Sequence, residues 1–344
     1  LKYGNRSFLS NKLKLQIEEE IKNNNQVILF LNRRGYSSFV SCRECGYVFK
    51  CKHCDISLTY HKKQNIGKCH YCGYEEVIPQ KCPECESKYV KAFGLGTEKI
   101  EEEIKQIFEG VRVLRLDKDT TSQKHELENI LNKFQNREAD ILIGTQMISK
   151  GLDFNHVTLV GILSADMMLN FPDFKSFENT FQLVTQVSGR AGRSEKEGKV
   201  ILQTYDSQSS VIKRIVDYDF EGFYEDEIKI RKLFNYTPFN NMLSVVISGK
   251  NELMVKKNIT TLYNNIVYLL KERGIQDFEF ILGPNPCSIS KINSNYRWQI
   301  LFKDDNIEIN LLKGIIKYIC ITKRDVVFDK EVNISIDINP NSIL

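Results

Sequence analysis

Ten cysteines occur in the 344-residue chain, and eight of them stand as four C-x-x-C pairs: Cys42/Cys45, Cys51/Cys54, Cys69/Cys72 and Cys82/Cys85. Two intervening residues let both thiolates of a pair reach one ion at ~2.3 Å, and two pairs complete a tetrahedron. Eight thiolates therefore make two closed sites with no position left for water, which predicts two structural Zn2+ ions rather than catalytic ones. Gly46 and Gly73 follow their pairs directly, where a residue without Cβ lets the backbone turn toward the sulfur. The spacers between pairs are five, fourteen and nine residues long. Fourteen residues suffice for a hairpin joining the second and third pairs, with the outer pairs closing a second site around it. Spacing alone also leaves an interleaved cross-brace open. Free reduced thiols at this density, or a redox dithiol, which needs only one activated pair, are the weaker readings. His53, His61 and His70 are not needed as ligands, and the isolated Cys287 and Cys320 read as small core residues.

Charge bears on what the cysteine segment can grip. From Cys42 to Cys85 the side chains sum to +2, and eight thiolates with two zinc ions bring that to about −2. Such a module is a poor general grip on phosphates. Tyr47, Phe49, Tyr60 and Tyr71 could stack on bases, but packing of the ribbon is the expectation for most of them.

Two further segments carry chemistry. Gly144-Thr-Gln-Met-Ile-Ser-Lys-Gly-Leu-Asp-Phe154 leaves the end of a buried strand, where ligands of open α/β sheets bind. Gln186-Val-Ser-Gly-Arg-Ala-Gly-Arg193 ends a helix, and Arg190 and Arg193, three apart, are expected on one helical face. Two guanidiniums so placed suit a triphosphate, because each stays charged and presents a planar fork of donors.

The elements that must position these groups are read from periodicity. Ser10 is an N-cap candidate before Leu13, Ile17 and Ile21 at helical spacing, and Gln26 to Leu31 reads as a strand buried on both faces. The cysteine segment interrupts the pattern, which then resumes with a helix capped by Thr97, a strand at Val111 to Leu116, a helix at Leu127 to Phe134 and a strand at Asp140 to Gly144. A strand at Val157 to Leu163, a helix at Ser176 to Ser188, a strand at Lys199 to Thr204 and a helix from about Asp219 to Phe234 follow. Alternating strands and helices predict an α/β fold with a parallel, doubly wound sheet. Past Pro238, strands at Leu243 to Ser248, Phe278 to Leu282, Trp298 to Phe302 and Val332 to Ile338 enclose helices at Leu253 to Glu272 and Ile307 to Ile319. A Gly-Pro-Asn-Pro turn is expected between the second and third strands. Two strand-helix-strand units suggest a split βαβ domain. The expected division is 1–41 with 86–234, the cysteine module 42–85, and a C-terminal α+β domain 235–344.

Together these residues resemble motifs five and six of superfamily-two helicases. The flanking order is similar to the PriA-type primosomal replication-restart helicases: Val27-Ile-Leu-Phe-Leu-Asn-Arg-Arg-Gly-Tyr36, four C-x-x-C pairs, Gly94-Leu-Gly-Thr-Glu98, Gly144-Thr-Gln-Met147, Pro172-Asp-Phe174, Thr185-Gln186 and Asp337-Ile-Asn-Pro340. The resemblance covers essentially the whole chain. It implies a RecA-like second helicase lobe with an inserted double zinc-ribbon module, in a DNA-stimulated ATPase moving 3′ to 5′ that recognises stalled or branched forks and starts primosome assembly. By motif, Arg193 would be the arginine finger and Arg190 its partner at the γ-phosphate. Asp153, Gly151, Gln186 and Gly189 would face ATP, and Thr145, Gln146, Lys150, Arg33 and Arg34 the DNA. The family's cysteine pairing is the nested one, Cys42, Cys45, Cys82 and Cys85 around one ion and Cys51, Cys54, Cys69 and Cys72 around the other. Implied partners are branched and single-stranded DNA, other primosome proteins and the acidic tail of single-stranded DNA-binding protein. For that tail, Arg297 and Gln299, beside the chain's only Trp, Trp298, are candidates: a guanidinium can fork onto a carboxylate and the amide can bond peptide backbone.

No phosphate loop is present: Gly-Lys steps occur at Gly67, Gly198 and Gly249, none followed by Ser or Thr. No acidic Mg2+ cluster ends a buried strand, and Glu225-Asp226-Glu227 reads as a solvated helix face. The first ATPase lobe, which would supply the rest of the site for ATP and Mg2+, is expected elsewhere in a longer parent, and the start at Leu1 without an initiator Met reads as a piece cut from it. Alone, the piece is not expected to hydrolyse ATP. The other reading is a zinc-ribbon adaptor that recruits proteins without a motor role. A net charge of +4 permits a local nucleic-acid patch without demanding one, and 42% hydrophobic with 27% charged residues excludes a disordered tail. The longest apolar runs are strand-length, far below the ~18–20 residues of a membrane span, so a cytoplasmic protein without a membrane partner is expected.

Overall fold

The computed structural model describes residues 7–31, 39–62, 64–92, 97–117, 120, 121, 125–145, 148, 154–192, 197–303 and 309–343. Helix α1 (Asn11–Lys22) starts at Ser10, whose side chain accepts from the Leu13 N–H, and buries Leu13 and Ile17. Strand β1 (Gln26–Phe30) is buried along its whole length. The cysteine segment follows with short strands β2 (Val40–Cys42), β3 (Thr59–His61), β4 (Ile66–Lys68), β5 (Glu75–Val77) and β6 (Val90–Ala92). Then come α2 (Thr97–Ile107), β7 (Val113–Leu116), α3 (Glu126–Gln135), β8 (Ile141–Gly144), β9 (Val157–Ile162), α4 (Asp166–Leu169), α5 (Ser176–Ser188), β10 (Lys199–Leu202), α6 (Ser210–Val216) and α7 (Phe220–Leu233).

Among the described residues, the lobe sheet has the order β10-β9-β1-β8-β7, and every pairing in it is parallel. That is the doubly wound sheet the alternation predicts, with β1 at its centre and apolar side chains on both faces. One face packs Ile28, Phe30, Leu142 and Val160 against Phe134, Phe181 and Val184. The other packs Val27, Leu29, Ile141 and Leu159 against Leu13, Ile17, Ile100 and Ile104. Thr97 is the first residue of α2 rather than its cap, and its buried hydroxyl donates to Asp117 Oδ2 at 2.6 Å.

The C-terminal part is built from β11 (Met242–Gly249), α8 (Glu252–Lys271), β12 (Ile281–Ile292), β13 (Asn295–Lys303), α9 (Ile309–Lys317), a π-helical turn at Tyr318–Thr322, α10 (Arg324–Val327) and β14 (Asn333–Ile338). The antiparallel order β12-β13-β11-β14 is the split βαβ arrangement. Its helices bury Val255, Ile259, Leu262 and Ile316 against Val245 and Ile300. The Gly-Pro-Asn-Pro segment does not end a strand as expected. It lies inside the edge strand β12, whose pairing with β13 shifts between Leu282 and Asn285. Proline has no N–H for a ladder, and only an edge strand with a shifted register accommodates two of them.

Candidate metal centres and nucleotide-facing motifs

Each C-x-x-C pair closes a tight turn by the same bond. The Gly46 N–H donates to Cys42 O at 3.1 Å, Asp55 to Cys51 at 2.9 Å, Gly73 to Cys69 at 2.9 Å and Glu86 to Cys82 at 2.9 Å. All four donors have positive φ, 81° and 82° at the two glycines and 52° and 56° at Asp55 and Glu86. Glycine meets that demand without strain, and the other two knuckles hold the same left-handed turn with side chains.

The sulfurs converge in the nested pattern. Cys42, Cys45, Cys82 and Cys85 form one cluster and Cys51, Cys54, Cys69 and Cys72 the other, all ligand atoms of a cluster within 4.8 Å of one another. Cys42 and Cys85 sulfurs lie 3.6 Å apart, Cys45 and Cys82 3.6 Å, and Cys51 and Cys72 3.5 Å. A tetrahedron with Zn–S of ~2.3 Å has edges of ~3.8 Å, so the donor set fits a structural zinc ion at each cluster. Burial raises the Cys42 thiol, but the amides of Cys45 and Glu44 and the Cys85 thiol bring it down to about 7, whereas burial pushes Cys45 up to about 12. Among the described residues no histidine joins either cluster. Cys287 and Cys320 are buried, as expected of small core residues.

The second cluster sits in a shared core with the lobe and the C-terminal sheet, among Phe49, Tyr71, Phe174, Tyr236, Met242 and Leu301. Tyr236 Oη donates to Cys54 O at 2.8 Å, and Asn285 Nδ2 donates to Tyr71 O at 3.1 Å. His70 Nδ1 lies 2.9 Å from the Pro286 carbonyl, which can only accept, so Nδ1 carries the proton. Its Nε2 then accepts from His61 Nε2 at 3.2 Å. Burial lowers His70 to about 4, which keeps it neutral. Asp173 is buried and accepts from Ser342 Oγ at 2.8 Å and the Ile343 N–H at 3.0 Å, while Phe174 stacks on Tyr236 at 4.7 Å. The Pro172-Asp-Phe174 triplet, visible in sequence only as part of a resemblance, is thus a latch between lobe and C-terminus.

Gln299 belongs to this contact and not to an open peptide pocket. It is 1% exposed, and its Nε2 donates to the His70 carbonyl at 2.8 Å. The two-residue period puts it on one strand face, but only the docked zinc module shows that this face is covered. Arg297 is half-buried, with Nη1 donating to Ile289 O at 3.4 Å. Glu227 is likewise not part of a solvated face. It is buried and accepts from Arg231 Nε at 2.9 Å, and Arg231 Nη2 reaches Glu178 at 2.6 Å.

The first motif segment begins at one end of the lobe sheet, and its last residue, Phe154, accepts from the Val157 N–H at 3.3 Å at the other, where the second segment also lies. Thr145 follows Gly144 at the C-terminal end of β8, level with Phe30. The second segment reaches the other end, where the Gly192 N–H donates to Val157 O at 3.1 Å. Five residues of strand separate those levels, about 16 Å. Helix α5 stops at Ser188 with Gly189 as its C-cap, so Arg190 lies in the turn beyond the helix. Arg190 is 9% exposed and Gln186 is exposed on α5. Arg33, Arg34, Gln146, Lys150, Gly151, Asp153 and Arg193 lie outside the described residues.

A parallel sheet of this topology with motif segments at both ends, carrying a module of two four-cysteine clusters, defines the class: the C-terminal RecA-like lobe of a helicase. Residues 86–195 match the helicase conserved C-terminal domain. Residues 51–76 match the PriA DNA helicase Cys-rich region (CRR) domain, and 232–341 the primosomal protein N C-terminal domain. The replication restart protein PriA of Bacillus subtilis (strain 168) is 48% identical over 342 residues, covering 99% of this chain and 41% of that protein. That of Synechocystis sp. is 44% identical over 348 residues, covering 100% and 40%. That of Borreliella burgdorferi is 36% identical over 340 residues, covering 98% and 49%. The chain belongs to the PriA replication-restart family and corresponds to its C-terminal part. It spans less than half the length of these three relatives.

Proposed function

We propose that this chain supplies the second motor lobe, a structural two-zinc module and the C-terminal domain of an ATP-dependent 3′–5′ DNA helicase. That enzyme recognises stalled or branched forks and starts primosome assembly. The observation that carries the reading is that Thr145 stands at one end of the lobe sheet while Phe154, beside Val157, and the Arg190 turn stand at the other. We read these as the DNA-facing and nucleotide-facing ends. In this reading Thr145, Gln146, Lys150, Arg33 and Arg34 face DNA. Gly151, Asp153, Gln186 and Gly189 face ATP, with Arg190 and Arg193 at the developing γ-phosphate charge. Of the division into 1–41 with 86–234, 42–85 and 235–344, separate sheets support the lobe and the C-terminal domain, while the β2–β6 pair carries the cysteine module out to Val40 and Ala92. The partner role for the acidic tail of single-stranded DNA-binding protein is kept for Arg297 alone. Among the described residues no helix is long and apolar enough to cross a membrane, and a cytoplasmic location follows from the DNA partner. A zinc-ribbon adaptor would have no use for arginines at the sheet end.

The test is single-stranded-DNA-stimulated ATP hydrolysis by the intact parent. Arg193→Ala and Arg190→Ala are expected to cut turnover by about 10³-fold or more without lowering DNA affinity. Turnover near wild type in both variants removes the pair from the active site.

A further inference from the structure

Helices α6 and α7 meet at a corner whose outer side carries large apolar side chains. Val216, Tyr218, Phe220 and Tyr224 are each more than half exposed. Phe220 and Tyr224, four apart on α7, share one helical face. The Phe220 ring is seated: it meets the buried Phe181 edge-on at 6.1 Å, and Phe181 in turn stacks on Phe223 at 4.5 Å. Arg214 fixes the corner by pairing with Asp219 and, at 3.2 Å, with Asp226. Tyr218 follows the C-cap of α6 at φ 54°, a left-handed position that glycine adopts without strain and a bulky side chain does not. The charges around the rings are of one sign. Residues 216–226 hold five carboxylates and no lysine or arginine. Arg214 takes two of them. Asp217, Glu221 and Glu225 are exposed and pair with no cation among the described residues, the neighbouring Lys213 and Lys229 included.

We propose that this corner is a docking face for an amphipathic helix of another protein, one whose apolar stripe is flanked by lysine or arginine. The backbone of α7 is satisfied within the helix and offers no ladder to an added strand, so recognition runs through side chains, with Phe220 and Tyr224 as anchors one turn apart. An apolar stripe removes the rings from water, and the cations beside it meet Glu221, Glu225 and Asp217 or lie over the ring faces. Charge complementarity decides the class of partner. Three carboxylates without cations repel phosphates, which excludes nucleic acid and an anionic membrane surface. The same face of a second copy would set like charges against each other. A seated ring and a braced corner also leave little to order on binding, so the face is preorganised. The inference goes beyond the motor reading and uses none of the residues assigned to ATP or DNA.

The probe is a labelled peptide of leucine and lysine with leucines at i, i+3, i+4 and i+7. Its anisotropy is followed with the intact parent and with the zinc-loaded 344-residue chain at about 150 mM salt. Both proteins are expected to bind it. Tyr224→Ser and the charge reversal Glu221→Lys/Glu225→Lys are each expected to weaken binding roughly tenfold or more. The reversed variant is expected to bind instead a peptide with glutamate in place of every lysine. All three substituted side chains are exposed, so the urea midpoint is expected to stay near wild type. Glu102→Lys/Glu109→Lys makes the same charge change at the exposed side of α2 and is expected to leave the affinity unchanged. Absence of binding by both proteins, equal losses in the two charge reversals, or full affinity in Tyr224→Ser would each overturn the proposal. So would binding by the 344-residue chain alone, which would assign the face to the parent's own first lobe. A dimer of the parent that the Glu221/Glu225 reversal dissolves would assign it to a second copy and overturn it as well. None of these outcomes touches the ATPase test of Arg190 and Arg193, so the two readings fail separately.

Discussion

Asp173 accepts hydrogen bonds from Ser342 Oγ, the Ile343 N–H and the Lys175 N–H while 2% exposed. Replacing it with Ala strands the buried Ile343 N–H, a loss of about 1–3 kcal/mol when unsatisfied. Asp173→Ala is therefore expected to lower stability by at least that much, read as a shift of the urea midpoint with intact zinc content; an unchanged midpoint rules out the latch. The cysteines differ in the same way by where they sit. Metal analysis is expected to return two zinc ions per chain, and Cys69→Ser, in the buried second cluster, to destabilise the chain more than Cys85→Ser, whose thiol is exposed in the first. Equal midpoints for the two variants would show that the second cluster does not anchor the shared core.

At the level of elements, Glu20 ties α1 to the sheet. It is buried, and accepts from Asn25 Nδ2 and Thr158 Oγ1 at 2.7 Å each, with Lys199 Nζ at 3.4 Å. Burial raises its pKa, but those two hydrogen bonds and the lysine outweigh it, and the net shift is downward. A carboxylate held below its unfolded value adds stability that is complete above that value and is lost as pH falls through the folded one. Glu20→Gln is expected to destabilise at neutral pH and to make the acid limb below about pH 4.5 shallower. An acid limb parallel to wild type would mean that Glu20 does not titrate with unfolding. The same element carries ordinary packing weight: Leu29 on β1 is fully buried, and Leu29→Ala should cost about 2–5 kcal/mol.

For the whole molecule, the second zinc cluster is where lobe, zinc module and C-terminal domain meet. Tyr236, Asn285 and Gln299 donate to the Cys54, Tyr71 and His70 carbonyls, which only a folded cluster holds in place, and the His70 ring donates back to Pro286 O. Chelation is therefore expected to raise hydrogen exchange at β12 and β13 as well as in the cysteine module. Exchange confined to residues 42–85 would show that the module docks without bracing its neighbour. The purified chain is also expected to hydrolyse no ATP, with or without DNA. Stimulated turnover free of contaminants would contradict the placement of the phosphate loop in a first lobe outside these 344 residues.

Local chemistry settled a good deal of this in advance. The eight ligands follow from four C-x-x-C pairs, although spacing alone left open which pairs share an ion. The parallel sheet follows from all-apolar strands alternating with amphipathic helices, since such strands are satisfied only when both faces are covered. The split βαβ domain was legible from its two strand-helix-strand units. What sequence patterns do not carry is which surface covers which. Gln299 looked free on a strand face and is sealed by His70. Glu227 looked solvated and is held by Arg231. The cysteine segment's charges look mixed in sequence, while the fold places Lys62, Lys81, Lys88 and Lys91 along one cleft. Periodicity reports one element's own geometry, whereas burial, charge sorting and the distance between two ends of a sheet arise from residues far apart in the chain, and only the tertiary structure brings those together.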